Sequence, residues 1–168
     1  MAEMIDVYNE NKERTGIVVE RANNFLKEGQ YQLYGLAVVV NSDGKYLITQ
    51  RAADKAWGAG WWEVSGGGVS AGEEGCEAIC REVEEETGLS VEGHTPQLID
   101  SYKSINLEKG HNYITDIYRF DLDFSPEDIH LQESEAVDFR LVTFDEITAL
   151  HEQGIFLHYE RLKHALGL

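Results

Sequence analysis

The sequence is poor in cysteine and in positive charge. Its 168 residues include two cysteines, and 14 lysines and arginines stand against 31 acidic residues, a net charge of −17. No further cysteine or histidine is spaced to complete a zinc site with Cys76 and Cys80, and the six histidines form no H-x-x-H pattern. Such an acidic surface repels nucleic acids and anionic membranes. We therefore expect no zinc site, no nucleic acid polymer and no membrane as partner.

Long apolar runs are missing as well. No segment is apolar for long enough to cross a bilayer, and no signal-peptide pattern or internal repeat is present. We therefore expect a cytoplasmic protein. The length fits one domain, residues 1–168, with a core of its own, and residues 1–30 are expected to form an N-terminal hairpin and lead-in.

The hydrophobic pattern predicts a mixture of strands and helices. Polar turn residues separate residues 6–8 from 17–19, which predicts the hairpin, and the apolar run 33–40 predicts a central buried strand. The remaining predictions are a short helix or loop at 21–28, strands at 45–50, 99–105, 113–122 and 139–142, and helices at 144–152 and 155–166.

The most acidic part of the chain lies between Gly67 and Leu89. Residues 73–86 contain seven carboxylates and one arginine. The spacing predicts a helix with Glu73 and Glu74 near its start and Gly88 just past its end. One face of that helix is apolar, and a second stripe of Glu82, Glu85 and Glu86 lies about 120° around it. The apolar face consists of Cys76, Ile79, Cys80, Val83 and Thr87.

The three clustered glutamates repel one another. Like charges three and four residues apart cost a few tenths of a kcal/mol each on a helix, and the helix dipole adds a similar penalty near its end. A divalent cation would reverse the sign of both effects, and oxygen ligands suit Mg²⁺ or Mn²⁺ better than zinc. A solvated helix face is the alternative interpretation of the same run.

The pattern around this run resembles the Nudix box. Gly67, Glu73, Arg81-Glu82, Val83, Glu85-Glu86, Gly88 and Leu89 fill every defined position of that box at its fixed spacing, over residues 67–89. The resemblance implies the Nudix fold, an α+β or α/β architecture with a mixed sheet between helices and a loop-helix-loop motif. It also implies Mg²⁺- or Mn²⁺-dependent hydrolysis of a small molecule, a nucleoside diphosphate linked to another group X.

The same resemblance implies roles for individual residues. Glu82, Glu85 and Glu86 would be metal ligands, and Arg81 would hold Glu85 in place across one helical turn. The glycines at 66–68 would let the backbone turn tightly, with the Gly66 carbonyl near the metal and Gly67 near the substrate. They match neither a Walker pattern nor G-x-G-x-x-G.

Further site residues are expected outside the helix. Arg51 ends a predicted strand before the box and is our candidate for a phosphate contact, although pairing with local acids is an equal alternative. Trp57, Trp61 and Trp62 could stack on substrate, although a place in the core or in a lid is the alternative and the core is favoured; of the three we choose Trp62 as the candidate contact. The general base would be Glu86 or an acid of the later segment 133–135, of which we choose Glu135; a polar loop is the alternative for that segment.

The N-terminal segment adds a second resemblance. Residues 6–16, followed by a strand and Gln50-Arg51, resemble the Nudix branch related to isopentenyl-diphosphate isomerase. That branch raises double-bond isomerisation as an alternative reaction, but its enzymes need a cysteine just before the box, where residues 61–66 have none. A nucleotide-sensing domain without catalysis is a further alternative. The hairpin is a candidate contact for a homodimer.

Overall fold

The computed structural model describes residues 2–168. Most of the chain belongs to nine strands, three α-helices and one short 3-10 helix at Pro126–Asp128. The strands are β1 Met4–Tyr8, β2 Arg14–Glu20, β3 Gln32–Val40, β4 Tyr46–Arg51, β5 Trp62–Glu63, β6 Ser65–Gly68, β7 Gln97–Ser104, β8 Tyr113–Asp121 and β9 Ala136–Val142. The helices are α1 Gly75–Thr87, α2 Phe144–Glu152 and α3 Tyr159–Ala165.

Strand β3 organises the main sheet of seven strands. It runs parallel to β8 along its whole length and antiparallel to β6 on its other side. Strand β7 lies antiparallel outside β8. Strand β4 pairs with β3 at Val40 and Tyr46. Along its length, β4 pairs antiparallel with β5 and β9. The sheet is therefore mixed, as the family resemblance implies.

Helices cover both faces of this sheet because β3 is apolar on both. Its side chains alternate, so Leu36 and Val38 face one way and Ala37 and Val39 the other. The first pair packs in a core cluster with residues of α2 and α3, including Ile147 and Leu162; the second pair packs with residues of α1, including Ile79 and Val83. This arrangement fixes α1 against the sheet through its buried face.

The N-terminal hairpin of β1 and β2 forms a separate two-stranded sheet that packs on the main one. Tyr8 and Tyr31 exchange two backbone hydrogen bonds of 2.8 and 2.9 Å, and their side chains join a third buried cluster. At the tip of the hairpin, Lys12 donates to both carboxylate oxygens of the buried Asp116 in β8, at 3.2 and 3.1 Å. The predicted hairpin is confirmed.

Most predicted strands and helices are present, and the main difference concerns the last helix. Residues 21–28 form a loop, one of the two predicted alternatives. The last helix covers only Tyr159–Ala165, because Ile155 and Leu157 exchange backbone hydrogen bonds with Trp62 instead of continuing a helix. His158 then takes a left-handed conformation, with φ of 63°, directly before α3. No helix within residues 2–168 combines the length and the apolar character needed to span a membrane.

Candidate active site

Helix α1 begins at Gly75, directly after the two acids that the sequence places near its start. Glu74 is its N-cap, and the Glu74 amide donates to the Glu77 carboxylate at 3.1 Å. Gly88 ends the helix with φ of 73°, and its amide donates to the Glu84 carbonyl at 2.9 Å. A side chain is strained in that left-handed conformation, which is why glycine suits the position. The last two turns thereby carry Glu82, Glu85 and Glu86 along strand β6.

The glycines of β6 form an extended strand, so the prediction of a tight turn at 66–68 is wrong. Their lack of side chains matters because other groups approach the backbone closely. A Cβ atom on Gly66 would lie 2.7 Å from the Gly35 carbonyl oxygen. A Cβ atom on Gly67 would lie 2.8 Å from Glu82 Cγ and closer still to the carboxylate. The Glu82 carboxylate therefore packs directly on the strand backbone.

Arg81 connects the carboxylates at the start and end of the motif. Its guanidinium donates two hydrogen bonds to Glu73, at 2.8 and 3.0 Å, and its Nη1 donates to Glu82 at 3.0 Å and Glu85 at 3.2 Å. The hydrogen bond from Arg81 lowers the pKa of Glu73, so that group stays ionised. Arg81 contacts one oxygen of Glu82 and one of Glu85, so it does not occupy either carboxylate completely.

Glu86 is the carboxyl group with the most unfavourable surroundings. Burial, together with the nearby Glu82 and Glu63 carboxylates, raises the pKa of Glu86 to about 9. Burial also raises the pKa of Glu82. Acids in such surroundings hold a proton unless a positive charge replaces it. The pair of Glu82 and Glu86 is thus poised to exchange a proton for a metal ion.

The donor set fits a hard divalent cation. It consists of carboxylate oxygens only, which suits Mg²⁺ or Mn²⁺, and their crowding costs free energy that a cation would recover. Within residues 2–168 no three histidine, cysteine, aspartate or glutamate side chains already converge as a complete metal cage. Binding would therefore require the glutamates to turn from Arg81 and from each other toward the ion.

These glutamates line an open cleft with a volume of about 480 Å³. The cleft runs from the end of α1 across β4 and β6 to the segment before β9. It contains the predicted residues Gly66, Gly67, Glu82, Glu85, Glu86, Arg51 and Glu135, and also Arg21, Tyr34, Thr49, Lys55, Trp57, Glu63, Tyr113, Gln132 and Ala136. Six separate parts of the sequence thus meet at one surface.

Arg51 lies in the cleft with its charge already compensated. Its Nη1 donates to Glu63 at 3.0 Å, and its guanidinium carbon lies 4.4 Å from the centre of the Trp57 ring. Burial raises the pKa of Glu63, and the neighbouring Arg51 opposes that rise. The sequence offered two alternatives for Arg51, and both features are present: it pairs with an acid, and it faces the cleft.

Glu135 also lines the cleft, where it forms an ion pair with Lys55. Glu133 does not belong to the lining. Of these two acids, Glu135 is therefore the one that shares a cleft with the carboxylates of α1.

Trp62 is wrongly predicted as a substrate contact. Its side chain is 3% exposed and belongs to the core cluster under α2 and α3, with the Arg140 guanidinium 4.3 Å over its ring. Trp57 lies at the cleft instead and is 58% exposed. Alternation along β5 turns Trp62 into the core and leaves Glu63 at the cleft.

The two cysteines take no part in the site. Cys76 and Cys80 are half-buried and pack against the core cluster beneath α1, on the apolar face that the sequence predicts. Burial raises the pKa of Cys80 to about 11, which keeps its thiol protonated and unreactive. Within residues 2–168 no thiol lines the cleft.

Arg21 is a cleft residue that sequence reasoning missed. It follows β2, its guanidinium carbon would lie 2.7 Å from a Cβ atom on Gly68, and it pairs with Glu3 at 3.0 Å. Nothing in the local sequence marks it, because only the packing of the hairpin brings it beside β6. Tyr34 and Tyr113 were missed for a similar reason, since each belongs to a strand that reads as core.

Comparison with known proteins agrees with this architecture. The family model described as the NUDIX domain matches residues 31–163. The uncharacterized Nudix hydrolase lmo0368 of Listeria monocytogenes is 32% identical over 164 residues, covering 97% of this chain and 93% of that protein. The nucleoside triphosphatase NudI of Escherichia coli is 44% identical over 50 residues, which are 30% of this chain and 36% of that protein.

The fold has a counterpart among solved structures. The crystal structure of DR0079 from Deinococcus radiodurans superposes with a TM-score of 0.72 at 21% identity, covering 91% of each chain. The intact motif from Gly67 to Leu89, the sheet between helices and the match over most of the sequence lead to one assignment. The chain belongs to the Nudix hydrolase family.

Proposed function

We propose that this Nudix pyrophosphohydrolase uses Mg²⁺ or Mn²⁺ to cleave the pyrophosphate bond of a nucleoside diphosphate linked to another group. The observation that carries the proposal is the meeting of Glu82, Glu85 and Glu86 with Arg51 and Arg21 in one cleft. In a chain of net charge −17, a site for a phosphate anion needs local cations and a bound metal to offset the surrounding field.

The acidic residues of the cleft would bind the metal, and its basic residues would bind the phosphates. Glu82, Glu85 and Glu86 would hold the metal, which when bound neutralises phosphate oxygens and lowers the pKa of a water molecule. Arg21, Arg51 and Lys55 lie along the same cleft and are placed to bind the phosphate oxygens. To reach a phosphate, Arg51 and Lys55 would loosen their present pairs with Glu63 and Glu135.

A carboxylate must accept the proton of the attacking water. Glu135 is our candidate because it lines the cleft opposite α1 and is free to act once Lys55 turns to the phosphate. Glu86 is the second candidate, but a group that binds the metal has less capacity to take a proton. Glu135→Gln should therefore lower kcat and change its pH profile, whereas Glu133→Gln, just outside the cleft, should change neither.

The proposal is tested with a panel of nucleotide sugars, ADP-ribose, dinucleoside polyphosphates and nucleoside triphosphates in millimolar Mg²⁺ or Mn²⁺. Glu85→Gln should lower kcat by about 100-fold or more, as expected when a group that stabilises the transition state is lost. Glu77→Gln is the matched control, because it makes the same change on the same helix away from the cleft and keeps an oxygen for the Glu74 amide. No product from any substrate, or equal turnover of both variants, contradicts the proposal.

The isomerase alternative is not supported by the cleft. A thiol proton carrier would have to lie beside the carboxylates, and neither cysteine does so within the described residues 2–168. The sensor alternative is likewise disfavoured, because all of the acidic ligands expected for catalysis are present on α1. Incubation with isopentenyl diphosphate, followed by separation of the two isomers, gives a direct test of the first alternative.

We further propose a cytoplasmic location and a homodimer contact through the hairpin. Strand β2 has one unpaired edge, and Ile17 and Val18 are exposed on it. Exposed edges of this kind pair readily with another strand. Ile17→Lys should then shift the molar mass measured by light scattering from dimer to monomer, and an unchanged mass would contradict this contact.

A further inference from the structure

A second pocket opens beside the carboxylate cleft. Its volume is about 500 Å³, and three of its residues, Tyr34, Trp57 and Tyr113, line both cavities. The rest of its lining is Tyr102, Ser104, Thr115, His158 and Arg161. A molecule whose phosphates lie against α1 could therefore place its remaining part in this pocket without leaving the protein surface.

The pocket is built largely from aromatic rings. Tyr34 and Tyr113 meet edge to face, with ring centres 6.3 Å apart and planes at 86°. Trp57 stands at the entrance, and the Arg51 guanidinium already lies over its ring. An exposed indole held by a stacked cation offers its other face to a flat partner at little cost in conformational entropy.

Arg161 gives the pocket a positive charge. Its guanidinium carbon lies 4.3 Å over the Tyr102 ring, and no acidic side chain within residues 2–168 forms a salt bridge with it. Burial raises the pKa of both Tyr34 and Tyr102, so their phenols remain hydrogen-bond donors at neutral pH. In a chain with 31 acids, an arginine without an acidic partner at a pocket mouth is poised to bind an electron-rich ligand.

We propose that this aromatic pocket binds the nucleobase and ribose of the substrate, an inference that rests on the function proposed above. A base stacks on aromatic and guanidinium planes, while its edges need donors and acceptors such as those of Ser104, Thr115 and His158. A branched apolar chain would use neither the cation nor these polar groups. The three shared residues make the pocket continuous with the phosphate site, which fits a ligand carrying both parts.

The first experiment compares ligands that differ only in the base. AMP, GMP, CMP and UMP are titrated into the whole protein with Mn²⁺, next to ribose 5-phosphate and isopentenyl diphosphate. Binding is followed by calorimetry and by quenching of tryptophan fluorescence, which Trp57→Phe should reduce. At least one mononucleotide should bind about tenfold or more tightly than ribose 5-phosphate, because one stacked base contributes on that scale. Equal affinity for all ligands overturns the inference.

Two variants assign the effect to this pocket. Arg161→Gln and Tyr102→Ala should each weaken mononucleotide binding about tenfold and weaken ribose 5-phosphate binding much less, because both remove planes on which the base stacks. Tyr102→Phe should keep most of the affinity because it keeps the ring. Arg140→Gln is the matched control, since Arg140 is also exposed and also lies 4.3 Å over an aromatic ring, that of Trp62, outside the pocket. Loss of binding in the control as well as in Arg161→Gln overturns the inference.

The outcome separates this inference from the proposed hydrolysis. In active protein, the pocket variants should raise KM with little change in kcat, whereas Glu85→Gln should lower kcat and keep the preference for mononucleotides over ribose 5-phosphate. Base-dependent binding without turnover of any substrate supports the pocket and rejects the hydrolase. Turnover with the same KM in wild type and both pocket variants supports the hydrolase and rejects the pocket.

Discussion

Gly67 leaves room for the carboxylate of Glu82. A Cβ atom at position 67 would lie 2.8 Å from Glu82 Cγ and even nearer to the carboxyl group. The backbone at Gly67 is not left-handed, so the glycine is needed for this contact alone. Gly67 is the first defined residue of the motif, and Glu82 follows 15 positions later. The position of the Glu82 carboxylate therefore depends on the absence of a side chain at residue 67.

Gly67→Ala should impair catalysis more than stability. The methyl group would push the Glu82 carboxylate away from Glu86, and a misplacement of about 1 Å can cost about 100-fold in rate. Gly93→Ala is the control, because it introduces backbone strain at φ of +79° with no neighbour within 4 Å. The expected pattern is a large fall in kcat for the first variant and a loss of stability alone for the second. Full activity of Gly67→Ala would mean that Glu82 does not need its present position.

Mn²⁺ binding should release protons near neutral pH. Burial and the Glu82 carboxylate raise the pKa of Glu86 to about 9, so below that pH the metal-free protein holds a proton there. A bound cation favours the ionised carboxylate and displaces about one proton per protein. Titration calorimetry at pH 7 in buffers of different ionisation enthalpy should show this as a heat that depends on the buffer.

The same shift makes stability without metal depend on pH. Glu86 is protonated in the folded state and ionised in the unfolded state over the range from about 4.5 to about 9, so the free energy of unfolding should fall as pH rises through that range. Glu86→Gln should flatten this slope in urea unfolding with EDTA present, and it should remove the buffer-dependent heat. An unchanged slope would contradict the assignment.

Arg21→Gln should weaken substrate binding even though Arg21 lies outside residues 31–163, the range matched by the family model. A lost charged hydrogen bond to phosphate is expected to raise KM about tenfold. Arg119→Gln is the matched control: Arg119 also forms an ion pair, with Asp121, and its side chain is 35% exposed against 38% for Arg21. Steady-state kinetics should show a change in the first variant only. Equal KM values would place Arg21 outside the substrate site.

Lys12→Met should loosen the hairpin. It removes the cationic partner of Asp116, whose side chain is 3% exposed and which then keeps only the hydrogen bond from Ser101 at 2.7 Å. A buried acceptor left without its partner costs about 1–3 kcal/mol. Urea unfolding should show a loss of that size, and adding Asp116→Asn should recover part of it. Lys109→Met, at an exposed loop position, is the control and should change little.

The sequence located the acidic helix without help from tertiary structure. Its 3.6-residue period separates the buried face from Glu82, Glu85 and Glu86, and Gly88 marks its end, because these signals are local to one turn of helix. The buried strand β3 could also be predicted, because a continuous apolar run of this length is typical of a central strand. The sequence does not fix the first residue of α1, because Glu74 can serve either as the N-cap or as a first-turn residue.

What the sequence could not decide were contacts between distant segments. The period of two along a strand does not say which face meets the core, so the sequence could not distinguish the buried Trp62 from Trp57, which lies at the cleft. Three consecutive glycines are typical of a turn, so the sequence predicted one at 66–68. The sequence does not show that Glu82 and Arg21 approach the backbone there, which is the reason for glycine in β6.

The helix, its carboxylate stripe and the family thus follow from local sequence signals, which also suggested Arg51 and Glu135 as site residues. That Arg21 joins them in one cleft, and that an aromatic pocket adjoins this cleft, is visible only in the folded chain. The physical reason is that secondary structure follows from interactions within a few residues, whereas a cleft is made by side chains that packing brings together from far apart in the chain.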